Sequence, residues 1–328
     1  MADKGRTLAM SEKDAEAGPV IDAPFGKALV QVAHARADVV GLTADLGKYT
    51  DIDPFRQAFP GRFFNVGMAE QNLIAVAAGL AKTGRVAFAT TYGVFATRRA
   101  YDFIAIACAH SQANVKIIAG LPGLTTGYGG THQAIEDLAL MIRIPGLVVI
   151  DPCDATEIMQ ATHAIAEHCG PVYMRLQRAS VPVVLDPARY QFRIGKAALL
   201  RDGADVGIIS TGLMTARALA AAQHLATSGI NASVLHVATW KPFDTAAVVG
   251  LARRVPALVS VENHVSGGGL ASLVAEAVFD ARLVRPLERV GLPDQFIECG
   301  SVSFLQSKYG LTPEHIVEAA RRALTRGK

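Results

Sequence analysis

Residues 63–81 read FFNVGMAEQNLIAVAAGLA. The stretch opens apolar, turns at Gly67, and then places Leu73, Ile74 and Ala77 at helical spacing. This predicts a short buried strand running through a tight turn into a helix. Glu70 and Gln71 fall at the junction. In open α/β sheets, ligands bind outside the carboxyl ends of the strands, so a carboxylate at such a junction is a candidate binding or catalytic group. The same Glu could instead simply complement the helix dipole in the first turn.

Outward from this unit the rhythm continues. Strands are predicted at Val39–Leu46, Phe63–Val66, Val86–Thr90, Val115–Ala119, Leu147–Ile150 and Val172–Leu176, and helices over 71–83, 95–109, 134–143 and 154–168. Runs such as VKIIAG (115–120) and LVVIDP (147–152) are apolar on both faces, as strands inside a parallel sheet are. Residues 181–197, with Pro182 and Pro187, break the pattern and read as a linker. The alternation then resumes: strands Val206–Ser210, Ala232–His236 and Ala257–Val261, and helices 214–227, 244–253 and 270–280. The expectation is two consecutive α/β domains with mostly parallel sheets, over 19–180 and 198–328, after a mobile tail over 1–18.

With 328 residues, 51% of them hydrophobic and 19% charged, the chain has the make-up of a well-packed globular protein. A formal charge of +3 implies neither nucleic acid nor an anionic membrane as partner. The longest apolar run, near Leu73–Ala81, is far short of the roughly 20 residues a membrane span needs. Residues 1–18 carry no apolar block, so no secretory signal is expected. Cys108, Cys153, Cys169 and Cys299 have neither C-x-x-C spacing nor a His cluster beside them. Reduced thiols in a cytoplasmic protein are the simplest account.

GMAEQN (67–72) followed by a helix of small residues resembles the pyrimidine-binding domain of transketolases. The resemblance continues in order through TTYGVFATRRAYD (90–102), THQAIEDLAL (131–140), IPGLVVIDPCDATE (144–157) and GPVYMRLQR (170–178), and into a transketolase C-terminal domain through ENHVSGGGL (262–270) and VGLPDQF (290–296). It covers nearly all of the chain after about residue 20.

The resemblance implies thiamine diphosphate as cofactor and ketol transfer as reaction. It makes Glu70 the carboxyl group that exchanges a proton with the N1′ nitrogen of the aminopyrimidine, priming the ring's amino group as a base. Tyr92 and Phe95 match the aromatic side chains flanking that ring. Asp45 matches an acidic residue near the cofactor and the subunit contact. His132 matches a substrate-facing histidine that assists proton transfer, and Arg178 an arginine that binds the substrate's phosphate.

Departures point to a remodelled substrate end. Tyr128 replaces a hydroxyl-binding aspartate, and Arg98 stands in place of a third aromatic. Gly120 falls where a phosphate-binding His aligns, Tyr49 where a Ser does, and Asp22 on or near an Arg.

No Gly-Asp-Gly occurs in the sequence, yet the family holds the diphosphate and Mg2+ with that motif. The implied protein is one half of a split enzyme. Its Mg2+ ligands come from a separate N-terminal subunit, and its assembly is at least α2β2. Alternatives are a β subunit of a 2-oxoacid dehydrogenase, whose loops typically lack the Thr131–Gln133 string, and a non-catalytic transketolase-like subunit. A 1-deoxyxylulose-5-phosphate synthase shares that string but is a single chain.

Overall fold

The computed structural model describes residues 19–326, so the expected tail over 1–18 lies outside it. A seven-stranded sheet runs in the order Thr239–Lys241, Val148–Ile150, Val172–Leu176, Val115–Gly120, Val86–Tyr92, Val39–Thr43, Phe63–Asn65. All its pairings are parallel except that of Thr239–Lys241 with Val148–Ile150. A five-stranded sheet follows in the order Leu287–Leu292, Leu258–Val265, Val206–Ser210, Ala232–His236, Ala198–Arg201, antiparallel only at the last pair. Val20–Asp22 and Ser180–Pro182 form a separate two-stranded antiparallel ribbon.

The central strands Val86–Tyr92 and Val115–Gly120 are buried throughout, which is why their sequences carry apolar residues on both faces. Helices cover the sheets with one apolar stripe each. Glu70–Lys82 buries Leu73, Ile74, Ala77 and Ala78. Pro313–Arg326 buries Ile316, Ala319, Ala320 and Ala323, spaced by three and four.

Several elements differ from the sequence reading. The strand expected over Val39–Leu46 stops at Thr43, because the chain turns at Asp45, whose φ is 58°. The helix expected over 95–109 starts at Gly93, is interrupted at Ala100 (φ −112°, ψ 16°) and continues as a π-helix over Ile104–His110. The helix expected over 134–143 is confined to Asp137–Ile142. The large sheet also takes the strand Thr239–Lys241 from beyond the 181–197 segment.

A buried polar seam joins the two sheets. The Arg175 guanidinium, 2% exposed, donates to Asp137 (Nε to Oδ2, 2.9 Å), to Asp151 Oδ2 at 3.4 Å and to the Asn263 carbonyl at 3.2 Å. Tyr173 donates to the same Asp137 oxygen at 2.6 Å. Burial works against the charged Asp137 carboxyl, yet the Arg175 guanidinium holds its pKa below the ordinary carboxylate value.

The ENHVSGGGL segment serves this seam. Asn263 Oδ1 accepts from Leu124 N at 2.8 Å, and Glu262 accepts from Leu270 N and Ala271 N at 2.7 and 3.0 Å, capping the Leu270–Asp280 helix. Asp137→Asn leaves Arg175 buried without its main counter-charge. It should lower stability by about 3–5 kcal/mol, measured by urea denaturation at neutral pH. Because the Asp137 pKa is lowered by folding, its contribution is present above the ordinary carboxylate value and is lost on acidification. A loss under 1 kcal/mol would show the ion pair to be dispensable.

Candidate active site

The parallel strands of the large sheet end together, and register places their last residues side by side. Tyr92 lies opposite Gly120, Gly120 opposite Leu176, and Thr43 opposite both Thr90 and Asn65. Asp45, Glu70, Tyr92, Gly120 and Arg178 therefore emerge at one edge, the one where α/β sheets bind ligands. Gly67, with φ 77°, makes the turn from strand Phe63–Asn65 toward the helix that begins at Glu70. Asn65 fixes this corner: its Oδ1 accepts from Asp45 N at 3.0 Å and Gly67 N at 3.1 Å, and its Nδ2 donates to Asp45 Oδ1 at 3.1 Å.

Glu70 is 5% exposed and sits in the first turn of its helix. Arg99 Nη1 donates to Glu70 Oε1 at 3.0 Å, and the Arg99 guanidinium lies 4.0 Å over the Phe95 ring. Phe95 in turn packs with Tyr92, ring centroids 5.7 Å apart. His132 stands against three rings: Phe95 at 5.3 Å, Tyr128 at 5.5 Å and Tyr92 at 6.4 Å. Its Nδ1 shares a hydrogen bond with Thr131 Oγ1 at 2.9 Å. Among the described residues no hydrogen bond engages its Nε2. Tyr128 is 55% exposed at the mouth. Burial pushes the Tyr92 phenol upward, against the pull of Arg178.

The sequence-predicted site residues thus form two adjoining groups: a ring-lined carboxylate (Glu70, Tyr92, Phe95, His132, Tyr128) and a group around Arg178. The Arg178 guanidinium lies 5.9 Å over the Tyr49 ring, and its Nε is buried with no hydrogen-bond partner. Asp51 accepts from Ala179 N at 2.8 Å; burial pushes its carboxyl up to about 6, against Arg178 and in step with Asp22. Asp22 accepts from the Ser180 hydroxyl. At Gly120, a Cβ would come into contact with Thr50 Cγ2 and Tyr92 Cδ1 at 3.4 Å, so this position adjoins both side chains.

Sequence reasoning did not single out Asn65, Asp51, Thr131 or Arg99. Arg99 lies 29 residues from Glu70 and had no local signal.

The residues fit a flat heteroaromatic ring with a basic nitrogen: a buried carboxylate beside two aromatic side chains, with the Thr91 hydroxyl also buried and, among the described residues, unpartnered. Among the described residues, one group of three metal-type donors converges: Cys153, Glu157 and His236, with donor atoms within 4.8 Å of one another. Thiol and imidazole are poor Mg2+ ligands. Glu157 is also already saturated, accepting from Cys153 N at 2.7 Å, from the Tyr190 hydroxyl, and bonding His236 Nε2 at 2.8 Å.

Known proteins share this sequence and fold. The family model described as transketolase, pyrimidine binding domain, matches residues 20–183, and that of the transketolase C-terminal domain matches 195–316. A transketolase family protein of Sinorhizobium fredii is 53% identical over 91% of this chain and 87% of its own length. A 6-deoxy-6-sulfo-D-fructose transketolase subunit of Clostridium sp. (strain MSTE9) is 43% identical over 91% and 92%. A solved split gene transketolase, an inactive β4 tetramer, superposes with a TM-score of 0.87 at 42% identity, over 95% of this chain and 100% of that one. Two family models in the right order, on two α/β sheets whose strand ends gather these residues, establish that the chain belongs to the transketolase family.

Proposed function

We propose that this chain is the C-terminal subunit of a split, thiamine diphosphate-dependent transketolase, which moves a two-carbon ketol unit from a ketose to an aldehyde acceptor. The observation that carries this reading is the nearly buried Glu70 carboxylate at the strand ends, beside the mutually packed Tyr92, Phe95 and His132 rings. When bound, thiamine diphosphate supplies the acidic thiazolium carbon that carries the two-carbon unit. Glu70 exchanges a proton with the pyrimidine N1′, Tyr92 and Phe95 flank the ring, and Asp45 stands at the cofactor and subunit contact. His132 moves a proton at a substrate hydroxyl through its free Nε2, and Tyr128 shapes the pocket mouth. The separate N-terminal subunit supplies the diphosphate and Mg2+ ligands in an α2β2 assembly. We place it in the cytoplasm, in keeping with four unpaired cysteines.

Charge argues for an unusual donor. Arg178 is the cation proposed for the distal pocket, and the Asp51 carboxyl near it feels both Arg178 and a second carboxyl, Asp22. A phosphate dianion gains little there, since each missing charge-assisted hydrogen bond forgoes about 1.5–3 kcal/mol. A monoanionic or uncharged distal end fits better, and the Clostridium relative is named for a sulfonated sugar, 6-deoxy-6-sulfo-D-fructose. The test is kcat/KM of the reconstituted complex for xylulose 5-phosphate, 6-deoxy-6-sulfofructose and unphosphorylated ketoses. We expect a donor other than xylulose 5-phosphate to lead by about tenfold or more. A wide lead for xylulose 5-phosphate would sink the remodelled pocket.

A further inference from the structure

Arg98 stands where the resemblance calls for a third aromatic ring, but its hydrogen bonds all go to the loop that carries His132. Nε and Nη2 fork onto the Glu136 carboxylate, Nη2 at 2.9 Å from Oε2. Nη1 donates to the Gly130 carbonyl at 2.7 Å, and Nη2 reaches the Gln133 carbonyl at 3.4 Å. Those carbonyls lie two residues before and one residue after His132. The guanidinium also lies 5.6 Å from the Phe296 ring. Only a planar fork of fixed donors can grip a carboxylate and two carbonyls at once.

Apart from Arg98, the segment so gripped is held by a bond from Gly300 N to the Gly127 carbonyl at 3.1 Å and by Gln133 Nε2 on the Thr126 carbonyl at 3.1 Å, neither of which reaches the backbone around His132 itself. Residues 127–133 form no helix or strand, three of them are glycine, and Gly129 takes φ 78°. The local bond from His132 N to the Gly129 carbonyl, 3.0 Å, closes a turn but does not tie it to the sheet. Fixing such backbone costs roughly 1–2 kcal/mol per residue in entropy. Arg98 belongs to the Gly93–Phe103 helix, which also carries Phe95 and follows directly on Tyr92. One rigid element therefore presents both rings and holds the loop whose imidazole packs against them.

We propose that Arg98 is a positioning residue for His132, stapling its loop to the helix that bears Phe95. It acts through His132 rather than on the substrate. The inference rests on the reading of His132 as a substrate-facing group.

Two measurements test it. In the reconstituted complex, Arg98→Met should lower kcat/KM about tenfold or more, and Arg98→Lys should recover little, since an ammonium cannot span the three acceptors. In a His132→Ala background, Arg98→Met should add almost no further loss, because the two act as a unit. Additive losses would overturn the proposal. Independently of turnover, the histidine-labelled full chain should show by NMR a His132 ring signal displaced by its aromatic neighbours. Arg98→Met should move that signal toward the value of a solvated histidine, and so should Glu136→Gln, which keeps the side-chain shape and guards against misfolding. An unmoved His132 signal in both folded variants would also overturn it. If the wild-type complex transfers no ketol unit from any donor, the proposed function fails, and the NMR comparison still decides the role of Arg98.

Discussion

Replacing Glu70 with Gln should lower ketol transfer by about 10²–10⁴-fold, the usual cost of losing a general acid or base. The chain should still fold and assemble. Gln keeps the size and one hydrogen-bonding face of the carboxylate but cannot cycle a proton. The structural cost is small because the partner, Arg99, is 53% exposed and can be solvated when the negative charge is lost. Single-turnover rates of the reconstituted complex, with size-exclusion chromatography as the assembly control, separate chemistry from folding. A rate close to wild type in the Gln variant would remove the central residue of the proposed mechanism.

The purified chain alone should show no measurable turnover, and adding the N-terminal subunit should restore it together with tight binding of thiamine diphosphate. The ring-binding half of the site is present here, but a diphosphate with its metal needs hard oxygen donors. Of the three converging donors, Cys153 and His236 are of the wrong kind, and the Glu157 carboxylate is already engaged by His236 and Tyr190. Isothermal titration with the cofactor and Mg2+, before and after adding the partner, checks this. Turnover by the single purified chain would contradict the split-enzyme reading.

Much of the framework was legible in the sequence because it rests on local periodicity. Val172–Leu176, Val206–Ser210 and Ala232–His236 begin and end where their apolar runs do. Elements governed by tertiary context were not legible. Leu287–Leu292 alternates buried and partly exposed positions and carries Glu288 and Arg289, so its sequence does not look like a strand. Thr239–Lys241 is too short to show a period and becomes a strand by pairing with Val148–Ile150.

In the candidate site, Glu70, Tyr92, Phe95 and His132 could be picked out because they sit in distinctive strings, and the structure brings them together. Their electrostatic partners could not. Arg99 and Glu70 are 29 residues apart, Arg98 and Glu136 are 38 apart, and only the fold joins them. Arg98 was readable as a departure from an aromatic; its attachment to the His132 loop was not.

The strand Thr239–Lys241 also binds the two lobes into one cooperative unit. It belongs to the second half of the chain but caps the outer edge of the first half's sheet. Severing the chain between the lobes would strip Val148–Ile150 of its neighbour and bare a row of unpaired backbone amides and carbonyls, the kind of edge on which chains aggregate. Trp240, 1% exposed in the middle of that strand and bonded through Nε1 to Thr211 at 2.9 Å, would lose its burial in the same event. The lobes should therefore melt in a single transition, and exchanging either among relatives should require carrying this strand along.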